Sequence, residues 1–193
     1  MKDPLLYKVC RPVFYEIFMT YYNPEIINSE VIPNEGKIII AGNHINALDP
    51  IFVDSCTKRT VYTLAKKSLH DGTFGWFFKG VGSIPVERNT NGKSGALDIA
   101  VDYLNEGCAI NLSPEGTRNK TNDILLPFKY GAVVMAKRSN SKIIPYAITG
   151  DYVFRSDNLK IEFGDPLDVS KLDYDEANDL LYDNVKRLIL KNR

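Results

Sequence analysis

The fold is decided by residues 38–50, which read IIIAGNHINALDP. A run of β-branched residues ends at Gly42, as is typical of a buried strand that a glycine releases. Asp49 followed by Pro50 is typical of a helix start. The stretch therefore predicts a strand, a turn and a helix, which is the unit from which α/β sheets are built.

His44 and Asp49 lie within this turn, five residues apart. On one continuous helix they would point about 140° apart, and on one strand they would face opposite sides, so only a turn brings them together. The turn follows the carboxyl end of a strand, where open α/β sheets place their ligands. Two interpretations remain: a helix cap beside a loop histidine, or a general base oriented by a carboxylate.

Outward from this stretch, short β-branched runs alternate with helical patterns, and a helix is predicted between Ser94 and Gly107. A second is predicted over Phe128–Ser139, and Ser170 with Asp173 resembles the capping box of a third. We expect a single α/β domain over residues 31–193, whose largely parallel or mixed central sheet is flanked by helices. The predicted strands are Lys37–Ala41, Val61–Leu64, Ser83–Val86, Cys108–Leu112, Ile143–Ile148 and Leu159–Phe163.

We expect residues 1–30 to be an N-terminal amphipathic segment appended to this domain. Pro4 to Tyr22 has helical periodicity, and Pro12 is expected to divide or kink the helix. One interpretation packs this helix on the core; the other places it at a membrane interface. Two adjacent i+4 rows make its apolar stripe: Leu5, Val9, Val13, Ile17 and Tyr21, and beside them Leu6, Cys10, Phe14, Phe18 and Tyr22.

The composition of the 193 residues is that of one packed domain, with 44% hydrophobic and 25% charged residues and a net charge of zero. This balance gives no reason to expect nucleic acid as a partner. Residues 57–142 nevertheless carry a net charge of +6, which favours an anionic ligand there. The three cysteines and two histidines are too scattered for a disulfide framework or a zinc site, so we expect no metal. No uncharged run of about 20 residues is present, so any membrane contact is expected to be peripheral.

Two further polar clusters follow predicted strands, GSIPVER at 82–88 and SPEGTR at 113–118. If these strands run parallel to residues 38–41, both clusters open on the same sheet edge as His44. The guanidinium groups of Arg88 and Arg118 would then suit a phosphorylated substrate; the alternative for each is an exposed charge or an ion pair with its neighbouring glutamate. The sequence lacks the serine elbow, the phosphate loop and the dinucleotide fingerprint.

Four blocks over most of residues 37–150 stand in a characteristic order: Asn43-His44 with Asp49, then 82–88, then Pro114 to Arg118, then Ile143 to Ala147. In their order and context, these blocks resemble the glycerolipid acyltransferases, especially bacterial 1-acyl-sn-glycerol-3-phosphate acyltransferases. The resemblance implies an α/β acyltransferase that moves a fatty acyl group from a thioester to the sn-2 hydroxyl of 1-acylglycerol 3-phosphate and forms phosphatidic acid.

The resemblance also implies residue roles, with His44 as general base and Asp49 as its partner. Arg88 would bind the acceptor phosphate, Lys129 would lie near the same phosphate, and Pro145 would mark the fourth block. Lys129 as a solvated helix charge and Pro145 as a strand-edge residue remain alternatives. The implied substrate-binding set is Asn43, Arg88, Glu115, Gly116, Thr117, Arg118, Lys129 and Pro145.

Three positions depart from the family pattern: Asn46 where serine is frequent, Ser113 where phenylalanine is frequent, and Asn119 where serine often follows. The catalytic pair is unaffected by these departures, so they bear on acceptor identity.

The implied partners are lysophosphatidic acid or a related lysolipid, a thioester co-substrate that is acyl-CoA or an acyl carrier protein (acyl-ACP), and the membrane surface. No cofactor and no covalent acyl-enzyme are expected, because the thiolate already leaves well. We expect a cytoplasmic enzyme associated peripherally with the inner face of the membrane. Three alternatives stay open: another acceptor such as glycerol 3-phosphate or another lysolipid, hydrolysis of the thioester by water, and a membrane-surface module without catalysis.

Overall fold

A computed structural model of the chain describes residues 4–87 and 95–193. In this part of the chain, seven strands form one mixed sheet in the order β1-β7-β6-β2-β5-β3-β4. The core strands β6, β2, β5, β3 and β4 are mutually parallel, while β7 is antiparallel to β6 and β1 is parallel to β7. The strands are β1 Glu25–Ile27, β2 Ile38–Gly42, β3 Val61–Lys66, β4 Ile84–Val86, β5 Ala109–Leu112, β6 Lys142–Thr149 and β7 Lys160–Phe163.

Helices cover both faces of the sheet, and the predicted α/β architecture is confirmed. On one face Leu104, Met135 and Leu181, each from a different helix, pack with Ile39 and its neighbours. On the other face Phe18 and Phe52, from two further helices, pack with Ile38 and Ile40. Alternate residues of β2 thus feed opposite cores, as the pleat of a strand requires. The helices are α1 Leu5–Tyr22, α2 Asp49–Ser55, α3 Lys67–His70, α4 Gly75–Gly80, α5 Ala96–Asn105, α6 Gly131–Ser139 and α7 Tyr174–Lys191, with a 3₁₀ turn at Ser29–Val31.

The six predicted strands are all present within one or two residues of their expected bounds. The short strand β1 was not expected from the sequence; it pairs with β7 and extends the sheet at one edge. The predicted helix over Phe128–Ser139 begins only at Gly131, and the backbone N–H of Lys129, before this start, donates to the carbonyl of Pro114.

Two predicted caps are also corrected. The capping box of α7 joins Asp173 and Glu176, whose side chains each accept the other's backbone N–H, rather than Ser170 and Asp173. Ser94, the predicted cap of the helix before Gly107, lies outside the described residues, and α5 begins after Gly95.

Helix α1 is continuous from Leu5 to Tyr22, so Pro12, which lies on its exposed side, does not divide it. Its inner side buries Tyr7 and Phe18 against the domain and packs on α2 and α4. A row on its outer side remains exposed: Leu5, Val9, Val13, Ile17 and Tyr21. Among the described residues, no helix has the length and apolar character needed to cross a membrane.

Candidate active site

His44 and Asp49 are in contact at the carboxyl end of β2. The Nδ1 atom of His44 donates to Oδ2 of Asp49 at 2.7 Å, with the imidazole 19% and the carboxylate 1% exposed. This bond fixes the tautomer and leaves Nε2 as the proton acceptor. The pair is therefore arranged as a base and its orienting carboxylate.

Asp49 organises the turn that makes this contact. Its Oδ2 atom also accepts the backbone N–H groups of Ile45 and Asn46, at 2.8 and 2.9 Å, and its Oδ1 atom accepts the hydroxyl of Tyr152 at 2.6 Å. These donors offset the cost of burying a carboxylate. The expectation that Asp49 caps α2 is wrong: Leu48 holds the cap position, and the carboxylate turns back to the loop before the helix.

The backbone of His44 is fixed from two sides by the third sequence block. Its N–H donates to Oε1 of Glu115 at 2.7 Å, and its carbonyl accepts the N–H of Asn119 at 2.7 Å. The second oxygen of Glu115 accepts the N–H of Leu126 at 2.9 Å. Burial raises the pKa of Glu115, and the two backbone donors oppose that rise. Both oxygens of Glu115 hold backbone N–H groups, so this side chain positions the site, and the described part of the chain shows no ion pair between Glu115 and Arg118.

Asn43 and Pro145 lie behind the site. The amide of Asn43 pairs with the backbone of Ile148, at 2.8 and 2.7 Å, and so ties the end of β2 to β6. Pro145 is buried within β6 opposite Ala41, and its carbonyl accepts the N–H of Gly164 just past β7. Both residues support the loop that carries His44.

Gly116 and Lys129 are in contact beside this loop. Gly116 has a φ of +67°, and a Cβ there would meet Nζ of Lys129 at 3.0 Å, so the lysine side chain lies across the glycine backbone. Thr117 and Arg118 follow and are exposed at the rim of a cavity together with His44. Two further cations of this rim, Lys66 and Lys120, were not expected from the sequence; Lys66 is the last residue of β3, and Lys120 follows the third block.

The second sequence block is only partly described. Gly82 to Glu87 lead into and out of β4, which is parallel to β3, so this block opens on the same sheet edge as His44. The predicted phosphate ligand Arg88 lies outside the described residues.

A cavity of about 730 Å³ leads from His44 beneath helix α1. It runs beside β3 from Lys66 back to Val61, a span of about 16 Å at 3.3 Å per residue. Its walls include Phe14, Ile51, Leu64, Leu69, Phe77, Phe78 and Val81.

The inner end of the cavity is polar. Tyr7 accepts the N–H of Val61 there, and the buried atoms Arg11 Nε and Asp54 Oδ1 have no hydrogen-bond partner among the described residues. Burial raises the pKa of Asp54 to about 8, a rise that the nearby Arg11 opposes.

Tyr152 is a further site residue that the sequence analysis missed. It stands in the loop after β6, 103 residues from Asp49, and no local motif links the two. Within residues 4–87 and 95–193, no group of histidine, cysteine, aspartate and glutamate side chains is placed to hold a metal ion.

This geometry agrees with the comparisons with known proteins. The acyltransferase family profile matches residues 23–149, and the chain belongs to this family. It is 27% identical over 168 residues to the 1-acyl-sn-glycerol-3-phosphate acyltransferase of Bacillus subtilis (strain 168), a match that covers 84% of this chain and 82% of that protein.

The relative from Borreliella burgdorferi with the same description is 32% identical over 141 residues, which are 72% of this chain and 56% of that protein. The chain thus spans little more than half the length of this relative. Among solved structures, the 1-acyl-sn-glycerophosphate acyltransferase PlsC of Thermotoga maritima superposes with a TM-score of 0.77 at 21% identity, over 97% of this chain and 82% of that one. That likeness is one of fold.

Proposed function

We propose that the chain transfers a fatty acyl group from an acyl-CoA or acyl-ACP thioester to the sn-2 hydroxyl of 1-acylglycerol 3-phosphate, forming phosphatidic acid. The observation that carries the proposal is the 2.7 Å contact between His44 and Asp49 at the rim of the cavity. The relatives from Bacillus and Borreliella, which are named for this acceptor, support it.

The chemistry requires a base for a hydroxyl that does not ionise at neutral pH. Nε2 of His44 accepts the hydroxyl proton as the oxygen bonds to the thioester carbon, an assistance typically worth about 10²–10⁴ in rate. Asp49 stabilises the imidazolium that results. When the tetrahedral intermediate collapses, the C–S bond breaks and the imidazolium returns the proton to the leaving thiolate.

The negative oxygen of the intermediate needs hydrogen-bond donors. The N–H of Gly116 is engaged with the carbonyl of Ser113. We therefore assign this role to the backbone N–H groups of Thr117 and Arg118, which stand at the rim beside His44.

Charge and shape support a phosphorylated lipid as acceptor. Arg118, Lys66 and Lys120 line the rim, and Lys129 lies beside it, so a phosphate there meets several cations. We assign phosphate binding to these four residues and to Arg88, which follows β4 in the sequence. The apolar walls of the cavity suit an acyl chain. Hydrolysis by water would use the same base, but it would not require the cationic side chains of this rim.

We also propose that the enzyme works peripherally at the inner face of the membrane, with no cofactor. The exposed row of α1 has further aromatic side chains beside it: Tyr21 of the row contacts the exposed Phe154. The exposed Phe14 of the same helix contacts the half-buried Phe77, which contacts the exposed Trp76. Such a surface suits the headgroup region, where its substrates reside.

The test is an assay of the purified protein with 1-acylglycerol 3-phosphate in mixed micelles, using acyl-CoA and acyl-ACP in parallel. We expect phosphatidic acid as product, a rate that falls at acid pH with one protonation, and loss of product in a folded His44→Ala variant. Fatty acid released at the same rate without acceptor would make the protein a thioesterase. Wild-type turnover by folded His44→Ala would reject the mechanism.

A further inference from the structure

Tyr152 contacts the catalytic carboxylate from a distant part of the chain. Its hydroxyl donates to Oδ1 of Asp49 at 2.6 Å, while the donors to Oδ2 all come from the turn at residues 44–46. Tyr152 is thus the contact that reaches this carboxylate from outside the turn, among the described residues.

The hydroxyl of Tyr152 acts only as a donor in this contact. Burial and the adjacent carboxylate of Asp49 raise the pKa of Tyr152 far above its ordinary value, so the phenol stays protonated at every working pH. A neutral donor spreads the negative charge of Asp49 and restrains its rotation.

Helix α1 supplies two of the aromatic rings that pack against Tyr152, and Phe52 of α2 supplies a third. The rings of Phe18 and Tyr22 contact the Tyr152 ring at centroid distances of 6.2 and 5.6 Å, both edge-on. The same loop is tied to the end of α1 by the N–H of Arg155, which donates to the carbonyl of Tyr21 at 2.7 Å. The outer side of α1 carries the exposed apolar row, so this helix connects the exposed row to the catalytic carboxylate through Tyr152.

We propose that Tyr152 is a positioning residue whose hydroxyl holds the Asp49 carboxylate in place. This contact depends on the seating of helix α1, that is, on how the helix packs against the domain. The inference rests on the proposed function, because it concerns the same His44–Asp49 pair. A shift of α1 moves the Tyr152 ring and breaks the bond from its hydroxyl to Oδ1. The Asp49 carboxylate is then held only by the donors to Oδ2 and orients His44 less firmly. Seating of α1 thereby controls turnover, while the substrate contacts at the rim stay as they are.

The first experiment compares Tyr152→Phe with Tyr22→Phe, which removes a hydroxyl from the same aromatic cluster without touching Asp49. We expect kcat of Tyr152→Phe to fall about tenfold, a part of what a general base supplies, with KM for both substrates within about twofold. The acidic limb of its pH–rate profile should move to higher pH, because a carboxylate without the phenol donor holds the imidazolium more tightly. Tyr22→Phe should keep the wild-type kcat and profile.

A hydroxyl that only filled space would leave the pH profile in place, and an unchanged profile and kcat in folded Tyr152→Phe overturn the proposal. This failure differs from failure of the proposed function, in which the wild-type protein itself forms no phosphatidic acid.

The dependence on α1 is tested by a double-mutant cycle with Phe18→Leu, which keeps an apolar side chain at the contact. We expect Phe18→Leu to lower kcat severalfold in the wild-type background and to have little further effect in the Tyr152→Phe background. Equal effects in both backgrounds would separate α1 from Tyr152 and overturn the coupling. If Tyr152→Phe does not fold, Phe18→Leu alone carries the test: a lowered kcat with a shifted acidic limb supports the proposal, and an unchanged profile rejects it.

Discussion

The carboxylate of Glu115 accepts the backbone N–H of His44 at 2.7 Å and thereby joins two loops that are 71 residues apart in sequence. The loops follow β2 and β5, which are neighbours in the sheet. Since the other oxygen of Glu115 holds the N–H of Leu126, one buried side chain fixes the catalytic turn, the loop after β5 and the segment before α6.

Glu115→Gln should therefore be costly although it changes little in shape. An amide offers one acceptor oxygen, so one of the two buried N–H groups faces an NH₂ group and loses its bond. We expect the free energy of unfolding to fall by about 1–3 kcal/mol and kcat to fall more than tenfold, measured by denaturant titration and steady-state assay. Glu16→Gln, on the exposed side of α1, is the matched control. Wild-type kcat in Glu115→Gln would mean that the turn holds its shape without this clamp.

Removal of one cationic side chain from the rim should weaken binding of the acceptor without slowing the chemical step. For Arg118→Ala we expect KM for 1-acylglycerol 3-phosphate to rise about tenfold, near 1.4 kcal/mol of lost binding, with kcat nearly unchanged because phosphate is bound equally in the ground and transition states. KM for the thioester should stay as it is. The control Arg138→Ala removes an exposed arginine that pairs with Asp98 on the other face. A pure kcat defect in Arg118→Ala would contradict phosphate binding.

The buried carboxylate of Asp54 should make the stability of the protein depend on pH. Burial raises its pKa from 3.8 to about 8, so between these values the folded state keeps a proton that the unfolded state releases. The free energy of unfolding must then fall as pH rises through this window, by at most about 1.4 kcal/mol per pH unit. Asp54→Asn removes this dependence and should be more stable than wild type at pH 8 but not at pH 4.

Denaturant titrations at both pH values measure the effect, and Asp102→Asn, an exposed aspartate on α5, should leave the wild-type dependence unchanged. If the free energy of unfolding changed with pH in the same way for wild type and for Asp54→Asn, the Asp54 carboxylate would have to be solvated.

The contact of His44 with Asp49 was predictable because strand, glycine and helix start are all local signals within thirteen residues. The position of the sequence blocks at one edge of the sheet was predictable in the same way, since alternating strands and helices favour parallel strands. Strand β1 gave no such signal, because three half-exposed residues have no pattern and acquire their conformation from β7. Tyr152 and the clamp by Glu115 depend on long-range packing, which no spacing encodes.

Placement of α1 at a membrane surface depends on its exposed row, where Ile17 is 59% exposed. Ile17→Asp puts a charge on this row without disturbing the buried Phe18, and a charged group in the headgroup–acyl boundary is unfavourable. We expect cosedimentation with anionic phospholipid vesicles to fall severalfold while the melting temperature stays within a few degrees, as is usual for surface substitutions. The matched control is Leu190→Asp, a residue 53% exposed on α7, which should bind vesicles as wild type does. Equal loss of binding in both variants would trace the effect to net charge, and no loss in either would exclude the row of α1 as the membrane contact.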